Sequence, residues 1–417
     1  MSASAAGTRC LASVIMSAVL PTYAERNEAH WQRNLLVCVF GSFTTLLSLS
    51  MLLPFLPLYV EQLGVAGAAG IVQWSSFAYS ATFIGTAVTS PIWGRLSDVY
   101  GRKVMLVRAA VGMAVVMSLI GTASSAPQLV LLRLIAGLVG GYSAASIVMI
   151  GSQAPQARAG WALGVLSTGA LCGNLIGPLV GGFLPEWFGI RGSFFIGGAL
   201  IAIAAVATIV LVKEDFHRVP ARHAAAPEPR SRAEWLTIVV LLVASSMVLL
   251  ASLSIEPIIT VYIQQLGVAK AQLPRQAGII MSATAFGSML AAPRIGALAD
   301  RIGGWRVITG CLVATAVVLI PQAWVDSWWQ LCMLRFVMGL TVAGLLPAIG
   351  KLIRGFAKER SSGSLLGTLQ SAQFVGQVLG PLIGGQIGAH VGLRDVFYLT
   401  AALLLFTAAA VWIGRQR

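Results

Sequence analysis

The sequence predicts an all-α membrane protein of twelve transmembrane helices, arranged as two pseudo-symmetric six-helix bundles. Three observations carry that prediction. Hydrophobic residues make up 57% of the 417 and charged residues only 10%, at a mean hydropathy of +0.84. A water-soluble fold of this length cannot bury so much apolar surface. Twelve apolar runs each approach the ~20 residues that cross ~30 Å of hydrocarbon as a helix, the form in which a backbone satisfies its own hydrogen bonds. The first half of the chain also returns in the second: Gly94 and Asp98 reappear as Gly296 and Asp300, an offset of 202 (296 − 94).

The runs span residues 35–60, 71–93, 104–124, 129–150, 161–184 and 193–212, then 236–263, 277–299, 307–325, 329–350, 364–388 and 396–414. The first ends in Pro54 and Tyr59 to Val65, the seventh in Pro257 and Tyr262 to Val268. The fourth and tenth share an arginine followed four residues later by glycine, Arg133 with Gly137 and Arg335 with Gly339. The fifth and eleventh share Gly177-Pro178 with Gly181-Gly182 and Gly380-Pro381 with Gly384-Gly385. Such correspondence predicts two parallel copies of a six-helix unit. Between them, Lys213 to Glu234 holds three prolines, many charges and no apolar run, which predicts a linker. The expected organisation is therefore a tail over 1–33, a bundle over 34–212, a linker over 213–234 and a bundle over 235–417.

A net charge of +14 raises the question of a nucleic-acid partner. The Lys and Arg residues answer it, because 22 of the 28 fall on one set of alternating loops and the termini. Arg191, Lys270, Arg275 and Arg394 fall on the other set, and Arg133 and Arg335 lie at membrane depth. This is the partition of a protein inserted with its basic loops inside. It predicts both termini in the cytoplasm, a lipid bilayer as the basic surface's neighbour, and no nucleic acid. Four of the five cysteines fall within predicted spans without a CxxC pair, so neither disulfide nor metal site is expected, and no cofactor. No phosphate-binding Gly-x-x-x-x-Gly-Lys-Ser/Thr loop is present, and no enzyme site is visible.

The loop after the second span reads Gly94-Arg95-Leu96-Ser97-Asp98-Val99-Tyr100-Gly101-Arg102-Lys103. Its glycines let helix ends approach closely, and Asp98 at a helix terminus can accept hydrogen bonds from a neighbouring helix start or pair with a base. Together with the duplicated halves, this loop resembles that of the major facilitator superfamily of secondary transporters. The resemblance runs from about Trp31 to the end. It implies a latch in which Gly94, Asp98, Gly101, Arg102 and Lys103 tie the halves together on the cytoplasmic side in the outward-facing state. Arg102 and Lys103 also serve as topology signals. The second copy keeps Asp300 but has Gly304-Trp305 in place of the basic pair.

In the fifth span Gly169, Gly173, Gly177 and Gly181 recur every four residues and make a smooth face for a neighbouring helix, with Pro178 as a kink point. With Gly182, this stripe resembles the Gly-Pro signature of antiporters in the superfamily. The resemblance implies that this face closes the periplasmic side; plain packing is the alternative. Arg133 and Arg335 either snorkel to the outer boundary or face the interior, and the resemblance ties Arg133 to proton coupling. Glu256, just before Pro257, is the only carboxylate inside a predicted span. It is either the proton carrier or half of a fixed pair with Arg335. Gln370, Gln373 and Gln377 share one helical face, and with Asn174 and Tyr142 they are candidates to line the substrate cavity. The expected function is proton-coupled export of small lipophilic compounds by a monomer, through alternating access. The alternative is a proton-linked permease or sugar-efflux transporter of the same fold, which would want paired carboxylates that this interior lacks.

Overall fold

The computed structural model describes residues 30–214, 231–356 and 362–414. The tail before residue 30 and residues 215–230 of the predicted linker lie outside them. The described residues are mainly helical, with no strand among them. Nine helices among them are long and apolar enough to cross a membrane. One of these, Ala159–Leu211, holds two crossings, because Gly189 at φ 69° turns the chain between the predicted fifth and sixth spans. The second and eleventh spans, Ala68–Tyr100 and Ser362–His390, fall short of that apolar standard, and they face each other. Twelve crossings result.

Four spans are broken, at matching places in the two halves. The first consists of Trp31–Ser50 and Leu56–Gln62, the seventh of Arg232–Ser254 and Glu256–Gln265. Pro54 and Pro257 lie at those breaks, where a missing N–H and a fixed φ prevent an unbroken ladder. The fourth span splits into Ala126–Val139 and Tyr142–Gln153, the tenth into Trp328–Val342 and Leu345–Gly355. A break at membrane depth orphans carbonyls that lipid cannot satisfy. In the fourth span side chains do so: Trp93 Nε1 donates to Leu138 O at 2.7 Å, and Arg108 donates to Val139 O at 3.0 Å and Gly140 O at 3.1 Å. The Arg108 guanidinium lies 3.6 Å above the Trp93 ring. Gly141, at φ 105°, makes a turn there that a side chain would strain.

Within each half the same pairs pack: first on fifth and seventh on eleventh, second on fourth and eighth on tenth, third on sixth and ninth on twelfth. Two seams join the halves, fifth on eighth and eleventh on second. At the first seam Ser282 Oγ donates to Leu175 O at 2.8 Å, and a Cβ on Gly278 would run into Pro178 O and come within 3.1 Å of Gly182 Cα. At the second, Ser80 Oγ donates to Val378 O at 2.8 Å, and Gly385 lies against Ser76. Thr260 Oγ1 reaches Pro54 O at 2.9 Å and Lys270 pairs with Glu61 at 2.6 Å. All of these contacts lie toward the end away from the basic loops. Toward the basic end Gln370 and Asp98 are exposed, and so is Asn174 at the middle of the fifth span. Among the described residues, these hydrogen bonds, ion pairs and close approaches between the halves gather toward one end.

A seam of backbone against backbone has no room for a side chain. Gly278→Leu is therefore expected to force the fifth and eighth spans apart, an overpacking worth about 1–3 kcal/mol. Spin labels flanking the seam should read a longer distance than in the unsubstituted protein. An unchanged distance would mean that Gly278 is not at the contact.

Candidate functional site

The loop between the second and third spans is built from two helix ends meeting at Gly101, whose φ of 92° both ends the second span and starts the third. A helix start leaves its first N–H groups without intrahelical partners. Here Glu214 fills that role, accepting from Arg102 N at 3.1 Å and Lys103 N at 2.7 Å. The Arg102 guanidinium donates to Ser152 Oγ at the end of the fourth span. Asp98 is exposed and makes no hydrogen bond or ion pair among the described residues. Gly94 borders open space, as does its copy Gly296. The second loop repeats the turn at Gly303, φ 92°, but Asp300 pairs with Lys351 within its own half. Lys351 therefore takes up the partnership that Gly304-Trp305 cannot offer.

The glycine signature divides into two faces. Gly173, Gly177 and Gly181 face the first span, at Phe43, Ser50 and Met51, inside the same half. Pro178 and Gly182 face the eighth span across the seam. The repeat in the eleventh span does likewise, with Gly376, Gly380 and Gly384 against Ser246, Leu250 and Ser254 of the seventh, and Gly385 across the seam. The contact between the halves thus falls to Pro178 and Gly182, while Gly173, Gly177 and Gly181 pack within their own half.

On a helix of 3.6 residues per turn, Gln370, Gln373 and Gln377 occupy the arc between the face that meets the seventh span and the face that meets the second. The opposite arc carries the exposed Val375 and Leu379, suited to lipid. Asn174 holds the equivalent arc of the fifth span, between its faces to the first and eighth. These amides are brought together around the opening between the halves. Tyr142 is not. It is 1% exposed, hydrogen bonds Thr208 at 2.8 Å and covers Gly41, so it packs the core of the first half.

Arg133 and Arg335 do not snorkel: each is 3% exposed. Arg133 Nε donates to Ala78 O at 3.2 Å, and Arg335 approaches only Met338 Sδ, at 3.6 Å. Glu256 is the first residue of the second piece of the seventh span, Glu256–Gln265, at the positive end of a helix beside the break. It is half-buried and interacts electrostatically with Arg335 and with Tyr79, whose hydroxyl donates to Leu53 O at 3.3 Å in the matching break of the first span. No ion pair within 4.0 Å joins Glu256 to Arg335, so the fixed pair is not formed in this conformation. Sequence reasoning missed Tyr79 as a member of this group and Glu214 at the gate. An aromatic in an apolar run and an acid in a charged linker carry no local signal. Among the described residues no group of three or more His, Cys, Asp or Glu is placed to hold a metal ion.

Comparison with known proteins gives concordant results. The family described as Major Facilitator Superfamily matches residues 38–274 and 241–417. A protein of Salmonella arizonae named multidrug resistance protein MdtG is 38% identical over 396 residues, covering 93% of this chain and 96% of that one. Its namesake from Proteus mirabilis is 39% identical over 391 residues, covering 93% and 97%. Among solved structures, a bacterial homologue of the human lysosomal transporter Spinster, in an inward-facing and occupied conformation, superposes with a TM-score of 0.74 at 15% identity, over 92% of this chain and 96% of that one. The nucleoside transporter NupG gives 0.73 at 16% identity, over 91% and 99%. Both share the fold.

Glu214→Ala should remove the carboxylate from the start of the third span and cost about 1 kcal/mol, as loss of a helix cap does. Thermal unfolding of the detergent-solubilised protein reads this as a lower Tm. An unchanged Tm would show that solvent serves those N–H groups equally well.

Proposed function

The chain belongs to the major facilitator superfamily, and we propose that it exports small lipophilic compounds in exchange for protons. It is a transporter and not an enzyme. The observation that carries the coupling reading is Glu256: the one carboxylate inside the spans, half-buried beside a helix break, near Arg335 but not locked to it. A carboxyl that moves between an apolar wall and a guanidinium changes its proton affinity, which is what a carrier needs. Water reaches such a site where a span is broken, because the freed backbone groups are polar.

The working cycle follows from the two seams. With Pro178 and Gly182 against Gly278, and Gly385 against Ser76, the outer end is shut and the amides Asn174, Gln370, Gln373 and Gln377 are open to the basic end. Lipophilic substrate enters there. Rocking of the bundle over 34–212 against that over 235–417 opens the seams and closes the basic end. Asp98, unpaired in the open state, then gains partners across the halves as a latch, with Gly94, Gly101, Arg102 and Lys103 shaping the loop. Glu256 takes a proton from outside and returns it inside, and Arg335 and Arg133 set the field it senses. The excess of Lys and Arg on that set of loops supports an orientation with that end and both termini in the cytoplasm, in the inner membrane of a bacterium. The linker over 213–234 tethers the halves, and one chain suffices.

The test is efflux of a fluorescent lipophilic dye from expressing cells, with and without an uncoupler. The unsubstituted protein should expel dye until the uncoupler is added, while Glu256→Gln at equal abundance should retain dye throughout. An impermeant thiol reagent outside the cell should label Gln272→Cys. Uncoupler-sensitive efflux by Glu256→Gln would move the proton site elsewhere, and labelling of Gln272→Cys only from within would reverse the orientation.

A further inference from the structure

The interior does not balance its charge. Among the nine carboxylates of the described residues, Glu61, Asp98, Glu186, Glu214, Glu234, Asp300, Asp326 and Asp395 lie at or beyond the ends of spans, and only Glu256 lies within one. Two guanidiniums, Arg133 and Arg335, are buried at matching positions of the fourth and tenth spans. Glu256 stands in the second half near Arg335, and Arg133 has only the Tyr79 phenol as an electrostatic neighbour. Each guanidinium also has a buried nitrogen without a hydrogen-bond partner, Nη1 of Arg133 and Nε of Arg335. No hydrogen bond or ion pair joins any two of Arg133, Tyr79, Glu256 and Arg335, although electrostatics couples them in a row across the two halves.

A buried cation without a counterion is costly, and removing a charge from water is repaid only by a partner of opposite sign. Planar guanidinium is also the group that recognises carboxylates, through two parallel N–H donors. Resting on the exporter reading above, we propose that the transported compounds are organic anions, whose acidic group is bound by Arg133 while their apolar body lies against the surrounding side chains. With Glu256 ionised, the row then carries two positive and two negative charges, so the loaded site is neutral when it closes. A lipophilic cation would instead add to an existing excess of positive charge. Arg133 is thus the residue that selects substrate by sign, and Glu256 is a competing negative charge that weakens anion binding.

Two xanthene dyes of similar size separate the possibilities: fluorescein, an anion, and rhodamine 123, a cation. Binding is measured by quenching of the protein's tryptophan fluorescence in detergent, on protein whose fold is checked by thermal unfolding. The unsubstituted protein should bind fluorescein more tightly than rhodamine 123. Arg133→Gln should weaken fluorescein binding by about tenfold or more, the scale of one lost charge-assisted contact, while sparing rhodamine 123. Arg133→Lys should recover part of the loss. Glu256→Gln, which leaves Arg133 in place, should tighten fluorescein binding severalfold, and this arm holds even if Arg133→Gln does not fold. Preference for rhodamine 123, binding of neither dye, or an unchanged fluorescein affinity in a folded Arg133→Gln or in Glu256→Gln would each overturn the anion subsite. The exporter reading fails differently, by tight binding without uncoupler-sensitive efflux.

Discussion

Contact of backbone against backbone between the fifth and eighth spans, with its copy between the eleventh and second, is the constraint on which the rest of the structure depends. Helices in lipid gain little from burying apolar side chains against one another, so close approach through small residues supplies the attraction. Gly182 and Gly278 bring no side chain to one crossing, where Gly278 lies against the Pro178 carbonyl, and Gly385 and Ser76 narrow the other. Because such a seam is made or unmade as a unit, it favours two discrete arrangements of the halves over a continuum. The polar contacts beside it, Ser282 to Leu175 O and Ser80 to Val378 O, each bind a hydroxyl that lipid would leave unpaired.

The second constraint is electrostatic. Among the described residues most charges lie at or beyond the ends of spans; Arg133, Arg335 and Glu256 lie within them, as does Arg108 at the break of the fourth span. Their fields act over a longer range than hydrogen bonds in a medium of low dielectric constant, so separation without contact still couples them. The breaks in the first and seventh spans bring Leu53 O and Glu256 to this row.

Much of this was legible in the sequence, and for identifiable reasons. Span number and the duplication follow from apolar length and from repeated Gly, Pro and Arg, which report on membrane thickness and on close helix packing. The stripe Gly173, Gly177 and Gly181 declared a packing face because the spacing of four fixes the side of the helix. The spacing does not name the neighbour, so which glycine meets the other half became clear only when Gly182 was seen against Pro274 and Arg275. The breaks at Gly140 and Gly344 escaped reading, since glycine inside a span is compatible with an unbroken helix. Tyr142 read as a cavity aromatic and is a core one. One residue's chemistry does not tell a wall from a packed interior. Glu214 and Lys351 are found only through the fold, by chain separations of 112 and 51 residues.

The central claim is that the two halves move against each other about the interior row, so that the outer seam opens as the basic end closes. Spin labels report it directly when one pair spans the outer end, at Gln62 and Gln272, and another spans the basic end, at Ala154 and Gly355. Acidifying the medium around the reconstituted protein should lengthen the outer distance and shorten the basic-end distance together, by rocking of rigid halves. Distances that stay fixed, or that lengthen at both ends at once, would contradict it.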